Sequence, residues 1–380
     1  MIKRSARPWR RLLSTTELSM AGTRESESAS AVTNAGSGAV HRKGALVAAA
    51  LTALVAMAAI AVTQGAAPIP ATTALRLLLS DLPFITAPTD VPDSWHTIVF
   101  DIRLPRIVAA GLVGSALAYS GASYQGVFRN PLAGPFLLGI ASGAALAAAI
   151  AIVSPLTEDT AGVGWVPIFA FVGAIITVAI VYLLAQTGST VSNVTLILAG
   201  VALSAVFSAV TSFILLTGGE QARPIFAFLF GGFNSSSWTR ILVALPYLAV
   251  GGVVVMAHAR VLNVLQLDEQ QAAQLGVDVT RAKLIILAGA SLVAATAVAM
   301  AGVIGFVGLI VPHVVRIIFG GDHRRLLPLA AVVGATFLIG ADVIARTVLA
   351  PQEVPVGIVT AMIGGPFFLF LLRTRRMDGA

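Results

Sequence analysis

The sequence predicts an all-α polytopic membrane protein with about ten transmembrane helices, and three observations carry that fold class. First, 57% of the 380 residues are hydrophobic and 11% charged, with a mean hydropathy of +0.92. A soluble chain of this size has no core large enough to hide so much apolar surface. Second, not one charged side chain occurs from Thr160 to Gly219. As one helix that run would far exceed the ~30 Å hydrocarbon core of a bilayer, so it holds two spans, broken at 186–193. Third, the net charge of +7 comes from basic residues placed between apolar blocks, a pattern of membrane orientation rather than of nucleic-acid binding. The lack of cysteine excludes a disulfide scaffold, thiolate metal sites and thiol catalysis.

Residues 1–43 are rich in Ser, Arg and Ala without apolar periodicity, so a disordered cytoplasmic tail is expected. Arg10-Arg11-Leu12-Leu13 resembles a twin-arginine signal, but no apolar segment follows closely. Glu17, Glu25 and Glu27 argue against a transit peptide, and Met20 is an alternative start. Spans are expected at 44–63, 106–127, 136–153, 165–186, 193–216, 239–257, 284–302, 303–318, 326–349 and 355–372. The eighth is short and carries Pro312 and His313. Parity supports it: His41-Arg42-Lys43 precedes the first span, and Arg373, Arg375 and Arg376 follow the last in a tail at 373–380. Both ends read as cytoplasmic, so the number of crossings is even. That assignment puts 18 of the 24 Lys and Arg inside. Gly111, Gly114, Ala118, Gly121 and Ala122 along the second span, and Gly139, Gly143 and Gly334 elsewhere, let helix backbones approach closely.

Several chemistries are missing from the sequence. There is no Gly-rich loop ending in Gly-Lys-Ser/Thr, so no P-loop for ATP, and no His-Glu-x-x-His. Span interiors carry no chain of Asp, Glu or Arg suited to proton or sodium coupling. His313 reads as a satisfied polar group, and Asp342 with Arg346, four residues on, as a local ion pair. The chain reads as a pathway-forming part that draws its energy elsewhere. It is not itself an enzyme, and no catalytic, cofactor or metal residue is assigned.

The most informative polar stretch is 258–283. Asp268 suits an N-cap, with Gln271 three residues later and Glu269 in the first turn. Leu275 ends that turn and Gly276 takes the position after it. Asp278 then caps a second helix leading into the seventh span. Two short capped helices form a rigid device, either for docking a partner or as an interfacial connector.

Motifs in order then identify a resemblance: Arg103-Leu-Pro-Arg106, Ser120-Gly-Ala, Arg129-Asn-Pro-Leu-Ala133, Leu138-Gly139, Leu198-Ala-Gly-Val-Ala-Leu203, Gln274-Leu-Gly-Val277, Gly305-Phe-Val-Gly-Leu-Ile-Val-Pro-His313, Gly321-Asp-His-Arg324, Leu326-Leu-Pro328, Ala341-Asp342, Glu353-Val-Pro-Val-Gly357 and Thr360-Ala361. Over residues 44–372 the chain resembles the permease subunit of FecCD-type ABC importers of ferric siderophores, haem or cobalamin. The resemblance implies ten helices with an inverted repeat relating helices two to five with seven to ten. It implies a second permease, identical or homologous, two ATPase subunits that hold ATP and Mg, and an external binding protein. Residues Asp268, Glu269, Gln271, Leu275, Gly276, Val277, Asp278 and Arg281 would couple to the ATPases. Thr190, Val191, Ser192, Asn193, Val194 and Thr195 would form the inner gate. Arg129, Asn130, Asp322, His323 and Arg324 would fall in neighbouring internal loops. Arg103, Arg106 and Arg346, expected at the water boundary, would dock the binding protein. Where the family often has an acidic residue, this chain has Gly134.

The expected function is ATP-driven uptake of a metal chelate across a bacterial cytoplasmic membrane, a ferric siderophore before cobalamin or haem. The alternatives are a secondary transporter of a small hydrophobic solute and a non-transport scaffold. The topology is testable in this cysteine-free chain. In intact cells an impermeant maleimide should label Asp90→Cys and leave Gln270→Cys unlabelled.

Overall fold

The computed structural model describes residues 44–65, 67, 69–80, 91–156, 163–187 and 190–377. The tail expected at 1–43 lies outside them. Helix α1 runs over Gly44–Thr63. The stretch expected as the first outer loop holds α2, Ala71–Leu78, and α3, Asp93–Thr97, which passes through a π-helical turn, Ile98–Arg103, into α4, Leu104–Phe128. Pro105 opens α4, where its missing N–H is no loss. Then follow α5 (Ile140–Val153), α6 (Trp165–Ala185) and a two-stranded hairpin, β1 (Gln186–Thr187) and β2 (Thr190–Val191), antiparallel with Gln186 opposite Val191. Helix α7 is Asn193–Thr217. A short helix α8, Ala222–Phe230, replaces the expected plain loop, and α9 is Trp238–Ala257. The polar stretch forms α10 (Ala259–Val264) and α11 (Glu269–Gln274). The chain ends with α12 (Val279–Ala301), α13 (Val307–Phe319), α14 (His323–Thr347) and α15 (Val356–Met377). Helix α15 thus continues into residues expected as the C-terminal tail.

Each of the ten expected spans has its helix. Helices α1, α6, α7, α9, α12 and α14 are long and apolar enough to cross a bilayer, while α5, α13 and the apolar part of α15 are shorter. Helix α4 is long and mostly enclosed by protein. Eighteen of its 25 residues are buried, so small and polar side chains such as Ser120, Ser123, Tyr124 and Gln125 face protein instead of lipid. Tyr124 Oη meets Ser291 Oγ at 2.6 Å, Tyr119 Oη donates to the Gly252 carbonyl at 2.7 Å, and Gln125 Nε2 donates to Leu309 O at 3.2 Å.

Glycine makes α4 the centre. A Cβ on Gly114 would strike the Gly334 carbonyl of α14, and one on Gly334 would strike the Gly114 carbonyl; a Cβ on Gly121 would strike the carbonyl of Gly308 in α13. The backbones of α4, α13 and α14 therefore touch directly. Gly121→Ala should lower the thermal unfolding midpoint in detergent, by the equivalent of about 1–3 kcal/mol for overpacking. Gly252→Ala, whose Cβ would meet open space, should leave it unchanged or slightly raised.

Candidate functional site

At the end where α4 begins, charge is buried. Arg103 is 4% exposed and donates from Nη1 to Val62 O and from Nη2 to Ala67 O, both at 2.7 Å. Arg346 is 5% exposed and donates to Ala61 O at 2.8 Å and Gln64 O at 3.0 Å. Ala61 and Val62 are in the last turn of α1, whose carbonyls have no partner within their own helix. Asp342 is buried and accepts from Arg106 at 2.9–3.1 Å. It also stands 3.5 Å from Arg346 Nε. Arg106 Nη1 reaches on to Glu353 at 3.0 Å. This corrects the expectation that the three guanidinium groups emerge at the water boundary. All three are held by internal acceptors, because the end of α1 supplies orphan carbonyls and α14 a carboxylate within reach. Asp342 and Arg346 do pair, but as part of a network with Arg106 and Glu353.

At mid-height the helices are interrupted. Between α12 and α13 the chain is irregular over 302–306, with Gly302 at φ 71 and Phe306 at φ 68. Ahead of α5 a 3-10 turn, Pro135–Leu138, ends at Gly139 with φ 77. A bulky residue at positive φ is a genuine outlier. Backbone bonds to the end of α8 and the segment after it hold the first break: Val303 N–H donates to Phe228 O at 3.0 Å and Gly232 N–H to Ala301 O at 2.8 Å. The two irregular segments face a shared cavity of about 340 Å³, lined by Leu117, Pro135, Phe136, Val201, Phe306 and Leu309 among others. Leu117 lies near the middle of α4, roughly 16–20 Å from its ends. The lining is apolar apart from Ser204, which accepts from Ser142 at 3.0 Å.

At the opposite end the expected internal residues are brought together. Arg129 ends α4 in the left-handed region, φ 50, and its Nη1 donates to Leu267 O at 3.2 Å and stands 3.7 Å from Asp268. Asn130 Oδ1 accepts from its own loop, at Leu132 N–H. Helix α11 closes as expected: Val277 N–H returns to Ala272 O and Gly276 N–H to Ala273 O, with Gly276 at φ 83, a Schellman turn. Leu275 is 65% exposed beside it. Asp278 caps α12 by accepting from Arg281 N–H at 3.0 Å. Ser192 caps α7, accepting from Thr195 N–H at 3.5 Å; Val191 is buried and Val194 is 65% exposed.

Residues that the sequence did not single out tie these parts together. Asn263 of α10 donates to Asp322 at 2.6 Å, and its Oδ1 accepts from the backbone N–H and Nδ1 of His323, both at 2.8 Å. Gln266 donates to Gly126 O at 2.9 Å. Asp322 also accepts from Arg324 N–H. The Asn263 amide, then this N–H, hold its carboxyl below the usual carboxylate range, so the stability contributed by its charge is fully present above that range and is lost as pH falls through the lowered value. Lys283 reaches Asn193 at 3.0 Å. These partners lie far apart in sequence, and no local spacing announces them. His313 is buried, its ring edge-on to Phe367 at 6.5 Å.

Residues 51–374 match the model of the FecCD transport family. The chain is 45% identical over 333 residues to the cobalamin import system permease protein BtuC of Halobacterium salinarum, covering 86% of this chain and 89% of that protein. It is 42% identical to the hemin transport system permease protein HmuU of Yersinia pestis, covering 74% and 84%. It is 37% identical to the Fe(3+) dicitrate transport system permease protein FecD of Escherichia coli, covering 73% and 85%. A solved structure of a metal-chelate type ABC transporter in an inward-facing conformation superposes with a TM-score of 0.74 at 31% identity, over 87% of this chain and 99% of that one.

The buried charge network is testable apart from transport. Asp342→Asn leaves two buried guanidinium groups without their shared carboxylate and should destabilise the protein by about 3–5 kcal/mol. Glu353→Gln, at a partly exposed position, should cost less than about 1 kcal/mol. Denaturant unfolding in detergent compares the two.

Proposed function

The chain belongs to the FecCD transport family, and from that premise we propose that it is the permease subunit of an ABC importer for a bulky metal chelate. The observation that carries this reading is the mid-height cavity between two broken segments. Irregular backbone at membrane depth is tolerated where it is buried in protein or lines a cavity, and in transporters such breaks mark the pathway. An apolar wall suits a large chelate held by shape. This cavity has no ionisable lining, and a larger one of about 610 Å³ toward the start of α4 holds Arg106, Arg240 and a single carboxylate, Glu353; a lone carboxylate paired with arginine does not make a relay for protons or sodium.

In this reading a second permease, two ATPase subunits and an external binding protein complete the importer. Both termini face the cytoplasm of a bacterial cell. ATP is hydrolysed on the separate subunits. Their closure moves α11 and the head of α12, and the pathway opens alternately to either side, with the β1–β2 hairpin and the head of α7 as its inner gate. Arg129, Asn130, Asp322, His323 and Arg324 shape the surface beside α11. Arg103, Arg106 and Arg346 serve the binding protein indirectly, by fixing the shape of the end on which it lands. A ferric siderophore is the first expectation for the cargo. Cobalamin is the second reading, favoured by the 45% identity to a protein named for cobalamin import.

Uptake of cobalt-labelled cyanocobalamin, iron-labelled siderophore and haemin by cells should stop on loss of the ATPase and survive a protonophore for whichever chelate is carried. Uptake that survives ATPase loss and collapses with the proton gradient would establish the secondary transporter. Gly276→Val places its Cβ in open space, so its main effect is on backbone conformation, about 1–2 kcal/mol against φ 83. Chelate-stimulated ATP hydrolysis should fall severalfold in a complex that still assembles.

A further inference from the structure

Lys283 has no place in the roles above. It is one of three lysines in the chain, with Lys3 and Lys43, and the only one among the described residues. It lies in the second turn of α12, five residues after the cap Asp278, and is 3% exposed. Lysine is rarely so buried unless its ammonium is engaged. Here Nζ donates at 3.0 Å to Oδ1 of Asn193, ninety positions away. Asn193 is the first residue of α7, directly after the β1–β2 hairpin.

The two helices so joined differ in how they are held. Fourteen of the 23 residues of α12 are buried, which fixes it in the bundle. In α7 only Leu196, Gly200 and Thr211 are buried. The head of α7 is weakly held by its own cap, whose Ser192–Thr195 bond of 3.5 Å is at the limit of a hydrogen bond. An ammonium beside a helix N-terminus also opposes the helix dipole, so this contact rests on its hydrogen bond and its burial rather than on dipole attraction. At its other side, α12 continues directly from the Gly276 turn of α11.

We propose that Lys283 is the positioning residue through which a displacement of α11 and the head of α12 reaches the hairpin and the head of α7. The link rests on the importer reading, in which α11 receives the stroke of the ATPase. Arginine reaches Asn193 with a longer, forked head and keeps the tie; methionine keeps the bulk and loses it.

The test uses the full permease assembled with its ATPase subunits in nanodiscs. A reporter thiol is introduced by Val194→Cys, in the exposed first turn of α7, and its maleimide labelling rate is read with and without MgATP and vanadate. In the parent the rate changes with nucleotide. Lys283→Met and Asn193→Ala each shrink that change severalfold, and Lys283→Arg retains it. A full nucleotide response in Asn193→Ala or Lys283→Met removes the link while leaving the importer reading intact. Where Lys283→Met does not assemble, Asn193→Ala, at a half-buried site, decides the question. A parent that shows no nucleotide response overturns the coupling reading and the link together.

Discussion

Direct contact between the backbones of α4, α13 and α14 is the constraint on which the other features depend. In lipid there is no hydrophobic force between helices, so close packing has to supply the attraction. Gly114 against Gly334 and Gly121 against Gly308 remove the side chains that would hold the axes apart. With α4 at that centre, α12 and α9 pack on its remaining sides, and its tyrosines find partners on them. A helix surrounded by protein has no need of a lipid-facing stripe, which is why α4 can carry Ser120, Ser123 and Gln125.

The two ends of the bundle solve the orphan groups of helix termini differently. At one end guanidinium groups from α14 and from the turn before α4 satisfy the carbonyls at the end of α1, and Asp342 balances two of the cations. At the other end neutral amides, Asn263 and Gln266, join α10 to the start of α14 and the end of α4. The charged end involves desolvated ions, which resist partial opening because a separated partner is left uncompensated. That end is held by single hydrogen bonds, worth about 1 kcal/mol each between neutral groups and about 1.5–3 kcal/mol where Asp322 or Lys283 takes part. A membrane machine driven from its amide-linked end would keep its opposite end as the fixed reference.

Between these ends the irregular segments 302–306 and 134–139 line the apolar cavity. The glycines at positive φ in both segments, together with Phe306, mark where helical continuity is given up so that two backbones and α7 can enclose space. The short α5 and α13, each entered from such a break, are the third and eighth expected spans, a correspondence of the kind an inverted repeat relating helices two to five with seven to ten would produce.

Features decided over a few residues are legible in the order of amino acids. The charge-free run with its polar break announces α6 and α7, and the alternation of apolar blocks and basic loops announces the ten spans. Asp278 as a cap and Gly276 at positive φ follow from steric and hydrogen-bonding rules that act within one turn. The direction of a long side chain is another matter. Arg103, Arg106 and Arg346 stand near helix ends, and the sequence alone sends them to water. Whether they stay there depends on which carbonyls and carboxylates the packed helices bring within hydrogen-bonding reach, and those include residues 36 to 285 positions away. Lys283 and Asn193 are equally silent as a pair. The sequence by itself determined the ten spans, the turn at Gly276, the cap at Asp278 and the membrane; the tertiary structure alone decided the helices within the outer loops, the partners of the buried charges and the place of the mid-height cavity. Helix formation is settled by contacts within four residues, and the desolvation of a charge by everything that folds around it.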